Sequence, residues 1–180
     1  MKTISVLCLL CISTAPLWAQ SKSPISDVLR ESLFGRQKNT VGAFEAMPAD
    51  KFDYKPTPDQ MTFGHLAAHI ADGNYFFCSN VGDVPRPKVD ELKGTEGKEK
   101  LVAAMQASFD FCKTALANAE DSKFNDPIQW FDGKSRPRAW AALALASSWA
   151  DHYALAAMYL RLNSILPPTA QKPKTDESKK

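Results

Sequence analysis

The sequence predicts an all-α protein, namely a four-helix bundle with long crossover connections. Three observations lead to this fold class. Apolar residues recur at helical spacing in four segments of about 20–29 residues, and proline-rich stretches separate these segments. No segment alternates apolar and polar residues over the length of a half-buried strand.

Each predicted helix is bounded by residues that stop the helical periodicity. The first helix ends before "MPADKFDYKPTPDQ", whose prolines cannot continue a helix, and the second ends at "VGDVPRPKVDELKG". The loop "DSKFNDPIQWFDGKSRPR" precedes the fourth helix, which Pro167 and Pro168 end. Two connections are long, so a simple up-down-up-down order is not required. The predicted helices cover about 26–46, 62–80, 95–119 and 137–165.

The N-terminus has the composition of a secretory signal peptide. "MKTISVLCLLCISTAPLWAQ" contains one lysine, an apolar run and then small residues, with Ala19 as the cleavage point. The apolar run is too short to span a bilayer. We therefore expect that residues 1–19 are removed, that the protein is secreted or periplasmic, and that no membrane attachment remains. Residues 23–168 are expected to form one domain, and the polar segment 169–180 a disordered tail.

The cysteine count agrees with export. Two of the four cysteines, Cys8 and Cys11, lie in the predicted signal peptide. The remaining pair, Cys78 and Cys112, is predicted to form one structural disulfide, because an even pair in an oxidising compartment is typically bridged. Two unrelated buried thiols are the alternative.

The charge distribution excludes one class of partner. The chain has 22 basic and 20 acidic residues, and removal of Lys2 with the signal peptide leaves 21 against 20, a net charge of +1. Because lysine and arginine are scattered rather than aligned on one face, nucleic acid is not expected as a partner.

The three histidines of the chain lie on two of the predicted helices. His65 and His69 are one turn apart, and Asp72 falls on the same face, which borders the apolar stripe of the second helix. His152 lies on the inward stripe of the fourth helix. The histidines can therefore converge inside the bundle, where neutral imidazoles suit a divalent first-row metal. The alternative from spacing alone is that they are hydrogen-bonded core residues.

The stretch "MPADKFDYKPTPDQMTFGHLAAHIADGNYFFCS", with "WFDG" and "DHYALAAMYLRLNSILPP", resembles the DinB-like (DinB/YfiT) family, specifically its secreted bacterial branch. The resemblance extends over about residues 23–168. It implies a four-helix bundle with crossover connections and a divalent-metal site built from one histidine of the second helix and two of the fourth. The matching ligands are His69 and His152. This chain has Ser148 where similar family members carry the other histidine of the fourth helix.

The substitution at position 148 leaves three alternatives for the metal site. In the first, His65 is the third ligand; in the second, Asp72 or water completes a weaker site; in the third, the site is defunct. Zinc, nickel or manganese is the divalent metal expected from the resemblance. Asp151, which precedes His152, points about 100° away from it and is expected to face solvent or the rim of the site.

The resemblance leaves two classes of function open. Some intracellular relatives resemble metal-dependent thiol transferases, but an exported protein would rarely meet their thiol substrates. The first class is therefore metal-dependent hydrolysis or transfer on an unknown small molecule. The second is a non-catalytic exported protein that binds a small ligand or a partner and has a degenerate metal site. The sequence does not fix the oligomeric state, and a homodimer is one of the assemblies it allows.

Overall fold

The computed structural model describes residues 21–171. The predicted signal peptide and residues 172–180 of the predicted tail lie outside the described residues. Four long helices account for most of the described chain, which confirms the predicted all-α bundle. The helices are α1 (Pro24–Ala46), α2 (Phe63–Gly82), α3 (Lys98–Leu116) and α4 (Arg138–Leu162).

The helices form a square in which α2 packs between α3 and α4, and α1 closes the other side against the same two helices. The ends of α2 define the directions. Gly64, near its start, lies against Gly94 just before α3, and Gly82, at its end, lies against Ala115 near the end of α3. The helices α2 and α3 are therefore parallel, and residues 83–97 form the crossover that joins them. Since Arg138 of α4 donates a hydrogen bond to the carbonyl of Asn80 at the end of α2, α4 runs antiparallel to α2.

The observed helix ends differ from the predicted ones where local hydrogen bonds compete with the helix. The helix α2 begins at Phe63, one residue after the predicted start at Thr62, because the Thr62 hydroxyl caps the helix by accepting a hydrogen bond from the His65 N–H at 3.1 Å. The helix α3 begins three residues later than predicted, after a turn in which the Glu96 carboxylate accepts from the N–H of Lys93 at 2.7 Å. The helix α4 ends before the predicted residue 165, because Ser164 takes a left-handed conformation with φ 60°.

A short antiparallel hairpin precedes α4, although no strand was predicted. It pairs β1 (Pro127–Gln129) with β2 (Ser135–Pro137). The Trp130 N–H donates to the carbonyl of Lys134 at 2.9 Å and closes the loop, while the indole of Trp130 is buried against the bundle. Strands of three residues are too short to produce an alternating pattern in the sequence.

The core consists of aromatic and aliphatic side chains from all four helices. Phe44 of α1 stacks on Phe63 of α2 with ring centroids 4.2 Å apart. Tyr159 of α4 is also fully buried, and its hydroxyl donates to the carbonyl of Met61 at 2.8 Å, which satisfies the polar end of the ring. Across residues 21–171, none of the helices combines the length and the apolar character that crossing a bilayer requires.

A disulfide and a polar network join α2 to its neighbours. The predicted bridge between Cys78 and Cys112 is present, with Cα atoms 5.1 Å apart. One turn earlier on α2, the buried Asn74 side chain donates to the Ser108 hydroxyl of α3 at 3.0 Å and accepts from the Trp149 indole of α4 at 2.9 Å. These contacts fix three helices against one another.

The described residues of the predicted tail contact the bundle. Pro168–Ala170 forms a short 3-10 helix that packs on α1. The Thr169 hydroxyl lies 2.7 Å from the Tyr153 hydroxyl, and the Thr169 N–H donates to the same oxygen at 3.1 Å. Two hydrogen bonds therefore join this segment to α4.

The close approach of α2 and α3 predicts opposite effects for two glycine-to-alanine changes. A Cβ at Gly82 would overlap with the backbone carbonyl of Ala115, so Gly82→Ala should lower the free energy of unfolding by about 1–3 kcal/mol. Gly35 in α1 has no neighbouring atom within 4 Å of its added Cβ, so Gly35→Ala should raise it by about 0.5–1 kcal/mol. Urea unfolding of both variants checks this, and equal effects would contradict the packing.

The disulfide predicts a measurable contribution to stability. The bridge closes a loop with a sequence separation of 34, so replacing both Cys78 and Cys112 by alanine should lower the free energy of unfolding by about 3 kcal/mol. Chemical unfolding of the chain lacking residues 1–19 measures this, with the reduced wild type as the control. Denatured, non-reduced wild type should show no reactive thiol, and two labelled thiols per chain would disprove the bridge.

Candidate metal centre

The histidine pair lies at the contact between α2 and α4. His69 projects from α2 and His152 from α4, and their imidazole rings meet edge to face with centroids 4.9 Å apart and an interplanar angle of 79°. The His69 side chain is exposed, and that of His152 is half-buried. The structure therefore brings together the two histidines that the sequence analysis matched to ligands.

Ser148 contacts His152 directly. One turn earlier on α4, its hydroxyl oxygen lies 3.0 Å from Nδ1 of the His152 ring. When Nδ1–H donates to the hydroxyl, the other ring nitrogen, Nε2, keeps its lone pair free. Sequence analysis recognised Ser148 only as a substituted ligand. Its orienting contact depends on a side-chain rotamer, which no sequence pattern reports.

The surroundings of His152 favour its neutral form. Burial lowers the pKa of His152 below the ordinary histidine value, and the neighbouring His69 lowers the pKa further. The charge of Asp151 and a hydrogen bond to the backbone of Ser148 raise the pKa but are smaller effects. Because only a neutral imidazole can coordinate a metal, the lowered pKa keeps His152 available as a ligand at neutral pH.

The other predicted site residues lie around this pair. His65 is exposed on α2. The carboxylate of Asp72 is paired with the guanidinium of Arg86, which belongs to the crossover. Asp151 is exposed, as the sequence analysis expected. Within the described part of the chain, no group of three or more histidine, cysteine or acidic side chains is arranged to hold a metal ion. The described structure therefore supplies His69 and His152 without a third ligand of these residue types.

A cavity of about 620 Å³ opens beside His69. Its floor consists of small and aromatic residues of α2 and α3, including Ala68, Ala104 and Tyr75, and the crossover forms its outer wall. Sequence analysis did not identify this cavity, because the crossover residues that form the wall follow no periodic pattern. The acidic, basic and histidine side chains of the lining are His65, His69, Asp72, Arg86, Asp90, Glu91 and Lys100.

The spacing of the histidine pair matches that of two ligands of a tetrahedral metal site. With metal–nitrogen distances of about 2.0–2.1 Å, two imidazoles that share one ion have ring centroids about 5 Å apart. The observed separation of 4.9 Å agrees with this spacing. The donor set therefore suits an imidazole-binding metal, but it is one protein ligand short of the usual three of a catalytic zinc site.

The fold and this pair define a crossover four-helix bundle with a candidate metal centre at one helix contact. The chain belongs to the DinB superfamily, whose sequence profile matches residues 35–156. Its fold is similar to the crystal structure of a DinB-like protein from Bacillus subtilis, with a TM-score of 0.63 and 14% sequence identity over 81% of this chain and 99% of that chain. The comparison with curated proteins found no match.

The lowered pKa of His152 predicts a loss of stability in acid. As the pH falls below about 6.5, His152 becomes protonated in the unfolded chain but stays neutral in the folded chain. The free energy of unfolding should therefore decrease until the pH reaches the pKa of His152 in the folded chain. His152→Gln should flatten this decrease. Urea unfolding in the presence of a chelator measures this decrease between about pH 5 and pH 8, the range in which histidine titrates. His65→Gln is the control and should keep the wild-type slope, because it leaves the burial of His152 unchanged.

Proposed function

We propose that this DinB-superfamily protein is exported and binds one divalent metal ion between His69 and His152. The edge-to-face pair, with centroids 4.9 Å apart and Nδ1 of His152 held by Ser148, is the observation on which the proposal depends. Zinc and nickel suit two imidazoles better than manganese, which prefers oxygen ligands. The disulfide between Cys78 and Cys112 supports export, because such bridges persist in oxidising compartments.

The proposed site leaves coordination positions open beside a cavity. Two imidazoles occupy half of a tetrahedral shell, so water and a substrate atom can take the remaining positions. A bound ion would supply Lewis acidity and an activated water molecule for hydrolysis or group transfer. His69 belongs to both the pair and the cavity lining, so a small molecule in the cavity would lie next to the ion.

The residues around the cavity would position this small molecule. Asp72 of α2 forms an ion pair with Arg86 of the crossover at the rim of this cavity, where both charges can contact a bound molecule. The small side chains of Ala68 and Ala104 leave space at the floor, and the half-polar rim can orient a ligand by hydrogen bonds. The substrate class that follows is a small molecule with an apolar part and at least one polar group.

A second candidate is a non-catalytic protein that binds a small ligand in the same cavity. The observation that favours it is the lack of a third histidine, cysteine or acidic ligand near the pair among residues 21–171. A site with two protein ligands binds metal weakly, so in this candidate the pocket binds its ligand without a catalytic metal ion. The two candidates differ in whether the protein has a metal-dependent catalytic activity.

Metal titration of chelator-treated, untagged protein tests the proposal. Wild type should bind one zinc or nickel ion per chain, and His152→Ala or His69→Ala should abolish binding. Ser148→His should tighten binding at least about tenfold, because imidazoles at positions i and i+4 of a helix can coordinate one metal. Isothermal titration calorimetry measures these affinities. His65→Ala is the matched control and should bind as the wild type does, since His65 lies outside the pair.

Absence of binding by both the wild type and Ser148→His would overturn the metal proposal. Metal binding without any metal-dependent hydrolysis of a panel of activated esters and amides would favour the non-catalytic candidate. Hydrolysis that is lost with the chelator and in His152→Ala, but kept in His65→Ala, would support the enzyme.

A further inference from the structure

Tyr75 contributes a hydrogen-bond donor to the cavity beside His69. Its side chain is only 8% exposed and lines the cavity floor. Burial, and to a smaller degree the charge of Asp110, raises the pKa of the Tyr75 hydroxyl, so this group stays protonated. Within residues 21–171 the hydroxyl has no hydrogen-bond partner. Because a buried tyrosine hydroxyl needs a partner, a molecule that fills the cavity must offer it an acceptor.

The register of the two parallel helices places the basic residue of the cavity far from Tyr75. The disulfide joins Cys78 to Cys112, so each residue of α3 is level with the residue of α2 that lies 34 positions earlier in the chain. Lys100 is therefore level with Leu66, about 13 Å from the level of Tyr75 along the bundle axis. Lys100 also lines the cavity, so the donor and the cation lie at its opposite ends.

Two acidic residues of the crossover lie near the level of Lys100. The contact of Arg86 with α2 and that of Gly94 with the start of α2 fix the two ends of the cavity wall. Asp90 and Glu91 lie midway between these contacts and line the cavity. Among residues 21–171, no ion pair includes Lys100, Asp90 or Glu91. Charges of opposite sign therefore lie on two walls of the cavity without contacting each other.

We infer that the cavity binds an α-amino acid whose long side chain ends in a hydrogen-bond acceptor. The α-carboxylate lies next to Lys100 on α3, and the α-ammonium group lies next to Asp90 and Glu91 on the crossover. The side chain extends along the apolar floor, and its terminal acceptor receives the hydrogen bond of the Tyr75 hydroxyl. This inference names the ligand class of the cavity and rests on the proposed function for the role of that cavity, but it does not require a metal ion.

A ligand with one sign of charge suits this cavity less well than a zwitterion. An amine alone leaves Lys100 without a counter-charge, and a carboxylate alone is repelled by Asp90 and Glu91. Asp72 and Arg86 do not change this balance, because each neutralises the other. The lining charges outside that pair have both signs, and an α-amino acid head group matches both.

The distance between the two ends sets the length of the ligand side chain. Side chains of a helix lean toward its N-terminus, so the Tyr75 hydroxyl reaches back toward the level of Lys100 and shortens the gap to about 8–10 Å. An extended chain spans about 3.5 Å for each three bonds, so about seven bonds are needed. The acyl oxygen of Nε-acetyl-lysine is about seven bonds from its Cα, which makes this amino acid a suitable probe.

Titration with Nε-acetyl-lysine, monitored by NMR chemical shifts in the presence of a chelator, tests the inference. The chain lacking residues 1–19 is suitable, since it retains every described helix and strand. It should bind the probe with a dissociation constant on the order of 1 mM. Analogues without the α-ammonium group or without the α-carboxylate should each bind about fivefold more weakly. An analogue with a straight alkyl side chain of the same length should also bind about fivefold more weakly.

Each variant of the cavity should lose the preference for one group of the probe. Lys100→Gln should no longer distinguish the probe from its analogue without the carboxylate, and Asp90→Asn combined with Glu91→Gln should no longer distinguish it from the analogue without the ammonium group. Tyr75→Phe should lose only the preference for the acyl oxygen. Its free energy of unfolding should stay unchanged, because the hydroxyl has no partner within residues 21–171. Lys113→Gln, exposed on α3 outside the cavity, is the matched control and should bind as the wild type does.

Equal binding of the probe and its three analogues by the wild type, or no chemical-shift change with any of them, would overturn the inference. It would also fail if the control lost affinity as Lys100→Gln does, because the effect would then reflect net charge alone. Since the chelator removes metal ions, either result is independent of the metal titration. A chain that binds no zinc but discriminates among the analogues would contradict the metal proposal alone.

Discussion

The close parallel packing of α2 and α3 is the constraint on which the rest of the structure depends. Gly64 and Gly82 leave room for the backbone of the neighbouring segment at the two ends of α2, and the bridge from Cys78 to Cys112 fixes the register between them. Parallel neighbours need a connection that returns along the full length of the bundle. The crossover 83–97 must therefore run over the outer surface of this helix pair, where it forms the wall of the cavity.

The same helix positions the histidine pair from its other side. Asn74 of α2 accepts the indole hydrogen bond of Trp149, and this contact sets the rotation of α4 about its own axis. His152 lies three residues beyond Trp149, so its ring is brought to the edge of α2, where His69 lies. The cavity and the histidine pair are thus on adjacent faces of one rigid helix, and His69 is exposed to both.

The sequence predicted the features that depend on periodicity or on residue counts, and it failed where single side chains decide the structure. The four helices followed from apolar spacing, and the disulfide followed from the even pair of cysteines. The approximate start of α2, at residue 62, was also predicted, whereas the capping role of Thr62 was not. The partner of Asp72 could not be predicted, because Arg86 belongs to a crossover without periodic structure. The later start of α3 also depends on a single carboxylate, that of Glu96, whose competing turn no helical pattern reveals.

The serine at position 148 changes the chemistry of the proposed site in two ways that oppose each other. A hydroxyl at this position gives up an imidazole ligand, so an ion would be held by fewer protein atoms and would exchange its other ligands more readily. The same hydroxyl lies 3.0 Å from Nδ1 of His152 and so fixes the orientation of the ring, and when Nδ1–H donates to it, Nε2 can coordinate. The remaining ligand is therefore already oriented, and the entropic cost of fixing its ring is met before an ion arrives. The proposed site would therefore bind a metal ion less tightly and leave more of its coordination positions open, while the orientation of the His152 ring is preserved.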